Sequence, residues 1–198
     1  MKFKRSIVSI IIVIVSAFLV WILCFPALSR VSGSSRFTCD LDNNGQAETY
    51  VLQRGHLIIR EGDRLLWESP QEWSIHSCLT ADADNDQGRE LLLVLWKRGS
   101  FGQSKPMWIK ETDNQYSNHL FLYRLAAGKL KPVWCSSALT HPIITLKVMD
   151  VNRDGKNELK VLEGPPAGPK HSLLYPFGCR STSWVWQGWG FVRNMELN

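Results

Sequence analysis

Asp40–Glu48 reads DLDNNGQAE, Asp82–Glu90 reads DADNDQGRE and Asp150–Glu158 reads DVNRDGKNE. One nonapeptide thus occurs three times. Position 1 is always Asp, position 3 Asp or Asn, position 5 Asn or Asp, and position 9 always Glu. Ten of the 18 acidic residues of the chain fall in these 27 positions. Carboxylates crowded in this way repel one another unless a cation neutralises them.

The pattern suits calcium, which takes about 6–8 oxygens in a flexible shell. Side chains at positions 1, 3 and 5 of a tight turn converge on one point. A carbonyl at position 7 adds an oxygen, and Glu at 9 closes the shell. The candidate ligands are Asp40, Asp42, Asn44 and Glu48; Asp82, Asp84, Asp86 and Glu90; and Asp150, Asn152, Asp154 and Glu158. An EF-hand is excluded, because position 12 is Val51, Leu93 or Val161 instead of Glu. Each loop runs into a short apolar segment rich in strand formers: Thr49–Leu52, Leu91–Trp96 and Leu159–Leu162. The metal-free alternative is three Asx-turns between strands.

D-x-D-x-D-G-x-x-[DE] leading into an apolar strand resembles the FG-GAP/VCBS repeat of integrin α-subunit propellers and many bacterial surface proteins. The resemblance covers about residues 30–198. It implies β-propeller blades with calcium in the loop between the first two strands of a blade. The second loop departs from the pattern with Gln87 at position 6 and Gly88 at 7, and the first has Asn44 where Asp is usual. Asp150–Glu158 matches best.

Each repeat carries a second hairpin, turning at Gly62, Gly128 and Gly188. The span from the first Asp of a loop to that Gly is shortest in the first repeat, from Asp40 to Gly62. It is longer from Asp82 to Gly128 and from Asp150 to Gly188, which places an insertion in each of the second and third repeats. The tail after Gly188 is too short for more than one strand, and the lead from Arg30 to Asp40 is equally short. The reading is an all-β, propeller-like array of three four-stranded repeats over 37–198. In it the N-terminal strand near Phe37–Cys39 completes the last repeat and removes the sheet edges. Propellers usually have about 4–8 blades. A non-circular stack of three blades, or a homodimer exchanging its terminal strands, are the alternatives.

Residues 6–29 carry no charge, and Ser6–Phe25 is long enough as a helix, about 30 Å, to cross a hydrocarbon core. Lys2, Lys4 and Arg5 precede it and place the N-terminus in the cytoplasm. Residues 1–29 therefore read as a transmembrane signal-anchor and 30–36 as a tether, with the β-domain extracytoplasmic. Cleavage near Ser29, giving a secreted form, is the alternative. Apart from serines the span lacks polar residues, and it has no small-xxx-small spacing, which argues against docking into a larger membrane assembly. Exported Cys39, Cys78, Cys135 and Cys179 are either disulfide-bonded or buried thiols.

The net charge is +5, but from residue 30 onward there are 20 bases and 18 acids, so nothing points to nucleic acid. Trp is over-used, at 9 residues. The chain has no G-x-S-x-G, H-E-x-x-H or phosphate-binding glycine loop, and its five His residues share no metal spacing. This points to a non-catalytic binding module for a protein or glycan ligand. The alternative is a cell-envelope enzyme acting on glycan or lipid. Either site belongs in the insertions, which should emerge together on the face opposite the acidic loops. Lys97–Asn118 supplies Lys105, Trp108 and Tyr116, and Gly164–Arg180 supplies His171 and Tyr175. The competing reading has these aromatics, Trp108 above all, folding back to cap a small core.

Overall fold

The computed structural model describes residues 35–102, 104–166 and 178–194. Every regular element among them is a strand. Ser34–Asn198 separates from Met1–Gly33 as a compact unit. Among the described residues no helix is long and apolar enough to cross a membrane, and Ser6–Phe25 lies outside them.

The twelve strands form three four-stranded antiparallel sheets, each contiguous in sequence. The first contains β1 (Ser35–Cys39), β2 (Glu48–Gln53), β3 (His56–Glu61) and β4 (Arg64–Glu68). The second contains β5 (Ser74–Ala81), β6 (Glu90–Arg98), β7 (Tyr116–Ala126) and β8 (Lys129–Cys135). The third contains β9 (Ile143–Met149), β10 (Glu158–Glu163), β11 (Arg180–Trp186) and β12 (Phe191–Asn194). In each sheet the acidic nonapeptide joins the first two strands, and a Gly-containing turn joins the last two.

The N-terminal strand does not complete the last repeat. β1 pairs with β2 from Ser35↔Leu52 to Cys39↔Glu48, and β12 supplies the fourth strand of the third sheet against β11. The spacings fit this arrangement equally well, because a spacing counts strands without saying which sheet holds them. Closing a hairpin across a nonapeptide loop costs less chain entropy than pairing the two ends of the domain.

The second sheet lies between the other two. Leu91, Leu93 and Leu95 of β6, with Phe121, Tyr123 and Leu125 of β7, pack with Tyr50, Leu57 and Ile59 of the first sheet. The alternate residues Leu92, Val94, Leu120 and Leu122 pack with Leu146, Leu159, Val161 and Trp184 of the third. Side chains alternate sides along a strand. A strand covered on both faces must therefore be apolar throughout, which is why β6 reads LLLVLW. β2, whose outer face is only half covered, alternates Tyr50 and Leu52 with the less buried Thr49 and Val51. Among the described residues no apolar cluster joins the first sheet to the third. The four cysteines from 39 onward are free thiols. Burial pushes the Cys78 and Cys135 thiols up to about 11.

Candidate functional site

The three acidic loops share one backbone. Position 4 takes a positive φ in each, at Asn43 (55°), Asn85 (64°) and Arg153 (65°). Position 6 does so too, at Gly45 (87°), Gln87 (73°) and Gly155 (86°). Gln87 thus keeps the turn that Gly makes elsewhere, at the cost of a strained conformation. Two hydrogen bonds recur. The N–H of position 6 donates to the Asp at position 1, at 2.9, 3.1 and 2.9 Å. The N–H of position 2 donates to the Glu at position 9, at 2.8, 2.9 and 2.8 Å. These bonds anchor Glu48, Glu90 and Glu158, all buried, at the root of each loop.

What neutralises the carboxylates differs between loops. In the second, Arg124 of β7 reaches in from the adjacent strand. Its Nη2 lies 3.1 Å from Asp84 Oδ2, 2.8 Å from Asp86 Oδ2 and 2.6 Å from Glu90 Oε1. A guanidinium therefore stands among these carboxylates as an internal cation. Burial raises the Glu90 carboxyl above its usual range, against the opposing pull of Arg124. Burial and the neighbouring Asp86 likewise raise Asp84, again opposed by Arg124. The Gly88 N–H, then Arg124, hold the Asp86 carboxyl below its usual range.

In the first loop the position facing Glu48 across the β2–β3 pair is Glu61, another acid. Its Oε1 accepts the Asn44 amide at 3.0 Å, and Arg64 contacts its other oxygen at 2.8 Å. Carboxylate oxygens of Asp40, Asp42 and Glu48 lie within 4.8 Å of one another. Glu48 is 0% exposed, its Oε1 has no hydrogen-bond partner, and neither has the buried Oδ1 of Asp42. Burial raises the Glu48 carboxyl, and Asp42 and Asp40 add to the effect. Orphaned buried oxygens on two carboxylates, with Asp40 as a third, form a donor set that a hard divalent cation would satisfy. In the second loop Asp82, Asp84 and Asp86 also approach within 4.8 Å and the buried Asp82 Oδ1 has no hydrogen-bond partner, but Arg124 already contacts Asp84 and Asp86. The third loop, although nearest the sequence pattern, forms no such cluster among the described residues. There Asn152 Nδ2 donates to Asp154 Oδ2 at 2.9 Å, and the exposed Asp154 carboxyl is held down by that bond and by the Lys156 N–H.

The acidic loops occupy one end of the sheets. Asn85 and Asn157 exchange hydrogen bonds at 2.6 and 3.0 Å, and Asn157 Nδ2 donates to Asp82 O at 2.8 Å, joining the second and third loops. The 99–115 insertion, the strand ends at Glu163 and Arg180 and the short β2–β3 turn occupy the other end. Ile75 N–H, at the start of β5, bonds Gly55 O of that turn at 2.8 Å. Ile143 N–H, at the start of β9, bonds Asn118 Oδ1 at the root of the 99–115 insertion at 2.9 Å.

Between the 136–142 linker and the third sheet a cavity of about 600 Å³ opens, reaching from Glu163 and Arg180 at the insertion end along the sheet to Trp184 and Phe191. Trp134, His141, Trp184 and Phe191 line it. Glu163 sits at its edge, 2.5 Å from Arg180 Nε and 2.8 Å from Arg193 Nη2. Burial alone would raise the Glu163 carboxyl, but hydrogen bonds from the two guanidinium groups outweigh it and hold the group down.

Of the expected ligand residues, Lys105, Trp108 and Tyr116 lie on the 99–115 insertion or its rim. Trp108 does not cap the core; it is 77% exposed. Tyr116 is half exposed and stacks on Trp96 with ring centroids 5.6 Å apart. The Lys105 ammonium donates to Glu111 O. His171 and Tyr175 lie outside the described residues. The Glu163–Arg180–Arg193 cluster and Arg124 had no sequence signal, because strand pairing brings them to partners 17–40 residues away. No family model matches the chain, and no curated protein matches it in sequence.

Proposed function

We propose that the chain is a membrane-anchored, non-catalytic binding module on the outer side of the membrane, its propeller-like repeats steadied by calcium at one end and recognising a protein or glycan at the other. The carrying observation is the separation of the two ends. The acidic loops, the second and third bonded to each other, form the first, and the 99–115 insertion and the linker that walls the 600 Å³ cavity form the second. Loops on a rigid frame commonly carry binding, and Trp and Phe walls beside guanidinium groups suit sugar rings or peptide side chains with acidic groups. Asp40, Asp42 and Glu48 would hold the ion, with Asn44 beside them, and its charge would offset the crowding of the carboxylates.

Two measurements test the reading. The full-length chain should resist carbonate washing of membranes and expose Asp40 onward to external protease. On an array of glycans and peptides, hits retained by the wild type should be lost by Arg180→Gln. An array without hits, or with hits held equally by both proteins, refutes the cavity as the binding site.

A further inference from the structure

The 99–115 insertion is a closed lobe. Gly99 N–H bonds Gln115 O at 2.8 Å across its neck, and Ala138 N–H bonds Ser100 O at 2.7 Å, tying the lobe to the linker after β8. Asp113 accepts from the Ser100 N–H and hydroxyl, and Lys97 Nζ donates to the carbonyls of Arg98 and Gly99. At the far end, Ile109 N–H bonds Pro106 O at 3.1 Å, so Met107 and Trp108 are the central residues of a tight turn. Such positions ordinarily hold Gly, Asn, Asp or Pro. Here two large apolar side chains stand 90% and 77% exposed, flanked by exposed Lys105 and Lys110.

We infer that the Met107–Trp108 turn is a membrane-docking tip that seats on the anionic surface of the bilayer, its apolar side chains in the interface and Lys105 and Lys110 on lipid phosphates. Trp favours the headgroup region, and basic residues beside an apolar tip complement anionic lipid. Chain direction supplies a second argument. Ser35, where the described chain begins, pairs with Leu52 at the insertion end of the first sheet. The first described strand therefore starts at the end that carries the tip. Charge has the same polarity in balance: the far-end loops hold ten acids against Arg89, Arg153 and Lys156, while at this end Arg36, Arg54 and Arg98 join the two lysines and outnumber Glu111, Asp113 and Glu163. The argument from chain direction rests on the anchored reading proposed above; the argument from the turn does not.

The test is amide hydrogen exchange of the full chain in nanodiscs of phosphatidylcholine with and without phosphatidylglycerol. Residues 104–111 should exchange at least tenfold more slowly in the anionic discs, while 40–48 exchange alike in both. Lys105→Ser/Lys110→Ser should lose most of the protection, since each base near an anionic surface is worth roughly a fivefold factor. Equal exchange of 104–111 in both discs overturns the proposal. So does protection that follows protein concentration instead of lipid, which would assign the turn to a second copy of the chain. If the chain fails to enter discs, the anchor reading fails by itself. Phosphatidylglycerol vesicles added to the free chain then decide, with protection of 104–111 supporting the tip and its absence overturning it.

Discussion

Arg124→Ala should make the second loop more dependent on calcium. The guanidinium contacts three carboxylates, of which Glu90 is fully buried and Asp86 is half exposed. Removing one partner of a buried ion pair costs about 3–5 kcal/mol, because the other charge stays buried without compensation. Arg124 is itself about one-third exposed, so water recovers part of this, and the Asp86 contact adds about 0–1 kcal/mol. The expected loss in chelator is therefore about 3 kcal/mol. For a domain of this length one kcal/mol shifts Tm by about 2–4 °C, so the melt should fall by about 6–12 °C. Without the guanidinium, Asp82, Asp84, Asp86 and Glu90 face one another as an ordinary cation site. Calcium at tenfold its Kd would return RT ln 11, or about 1.4 kcal/mol, and raise the variant by about 3–6 °C beyond any shift in the wild type. The assay is a set of four melts, wild type and variant, each in chelator and in about 10 mM calcium, a concentration suited to weak sites of extracellular modules. Subtracting the wild-type shift removes whatever the other loops contribute. Arg124→Lys keeps a charge but presents a single ammonium to three carboxylates, so it should fall between the two. Two results would refute the role assigned to Arg124. One is a variant within about 0.5 kcal/mol of wild type in chelator, the scatter of an ordinary surface substitution. The other is a variant whose calcium shift equals the wild-type shift.

Glu48→Gln should change sign with the metal: a slightly higher Tm than wild type in chelator, because a buried charge is gone, and a lower Tm in calcium, because a ligand is gone; the same sign in both conditions would remove the first loop as a cation site. In chelator, Glu48 and Glu90 have folded pKa values raised above the unfolded ones. Their contribution is thus full below about pH 4.5 and lost as pH rises through the folded values, so Tm should climb as pH falls from 7 toward 5, and calcium should flatten that slope. Glu163 works the other way: its lowered carboxyl contributes above about pH 4.5 and loses that contribution as pH falls through its folded value, so Arg193→Ala should flatten the acid limb of a Tm–pH curve. Because the four cysteines from 39 onward are free, adding reductant should leave the melt unchanged, and a drop would reveal a disulfide.

The turns were legible because their chemistry is local. Asn at position 4 and Gly at position 6 of the first loop announce the left-handed residues found there, and Gly62 and Gly128 mark hairpins that the structure contains. Sheet membership was not legible. β1 and β12 are each a few residues of ordinary strand, and nothing in Arg36–Cys39 distinguishes pairing with β2 from pairing with the chain's other end. The layer order had a signal that spacing arithmetic overlooks. β6 is apolar at every position from Leu91 to Trp96, whereas β2 and β10 interpose Thr49, Val51 and Lys160 at less buried positions. Only a strand covered on both faces needs that run.

The same register explains why a match to the acidic pattern and an arrangement suited to a cation diverge. Ligand spacing within the nonapeptide is written in the loop, but the charge that the loop must balance comes from the strand beside it. Glu61 faces Glu48 in the β2–β3 pair. Arg124 lies one residue beyond the Leu91–Tyr123 pair, next to Glu90, and Val185 one beyond the Leu159–Trp184 pair, next to Glu158. One structural position therefore holds an acid, a base and a neutral residue in the three repeats. The acid adds to the demand for a cation in the first loop, the base meets part of it in the second, and the neutral residue does neither in the third. Exchanging those residues should move the calcium dependence with them. Glu61→Arg should lower the calcium shift of the first loop as Arg124→Ala raises that of the second, and the double variant should transfer the dependence from Glu48 to Glu90. If calcium shifts followed the nonapeptide sequence regardless of the facing residue, the balance of charge across the strands would not be what selects the site.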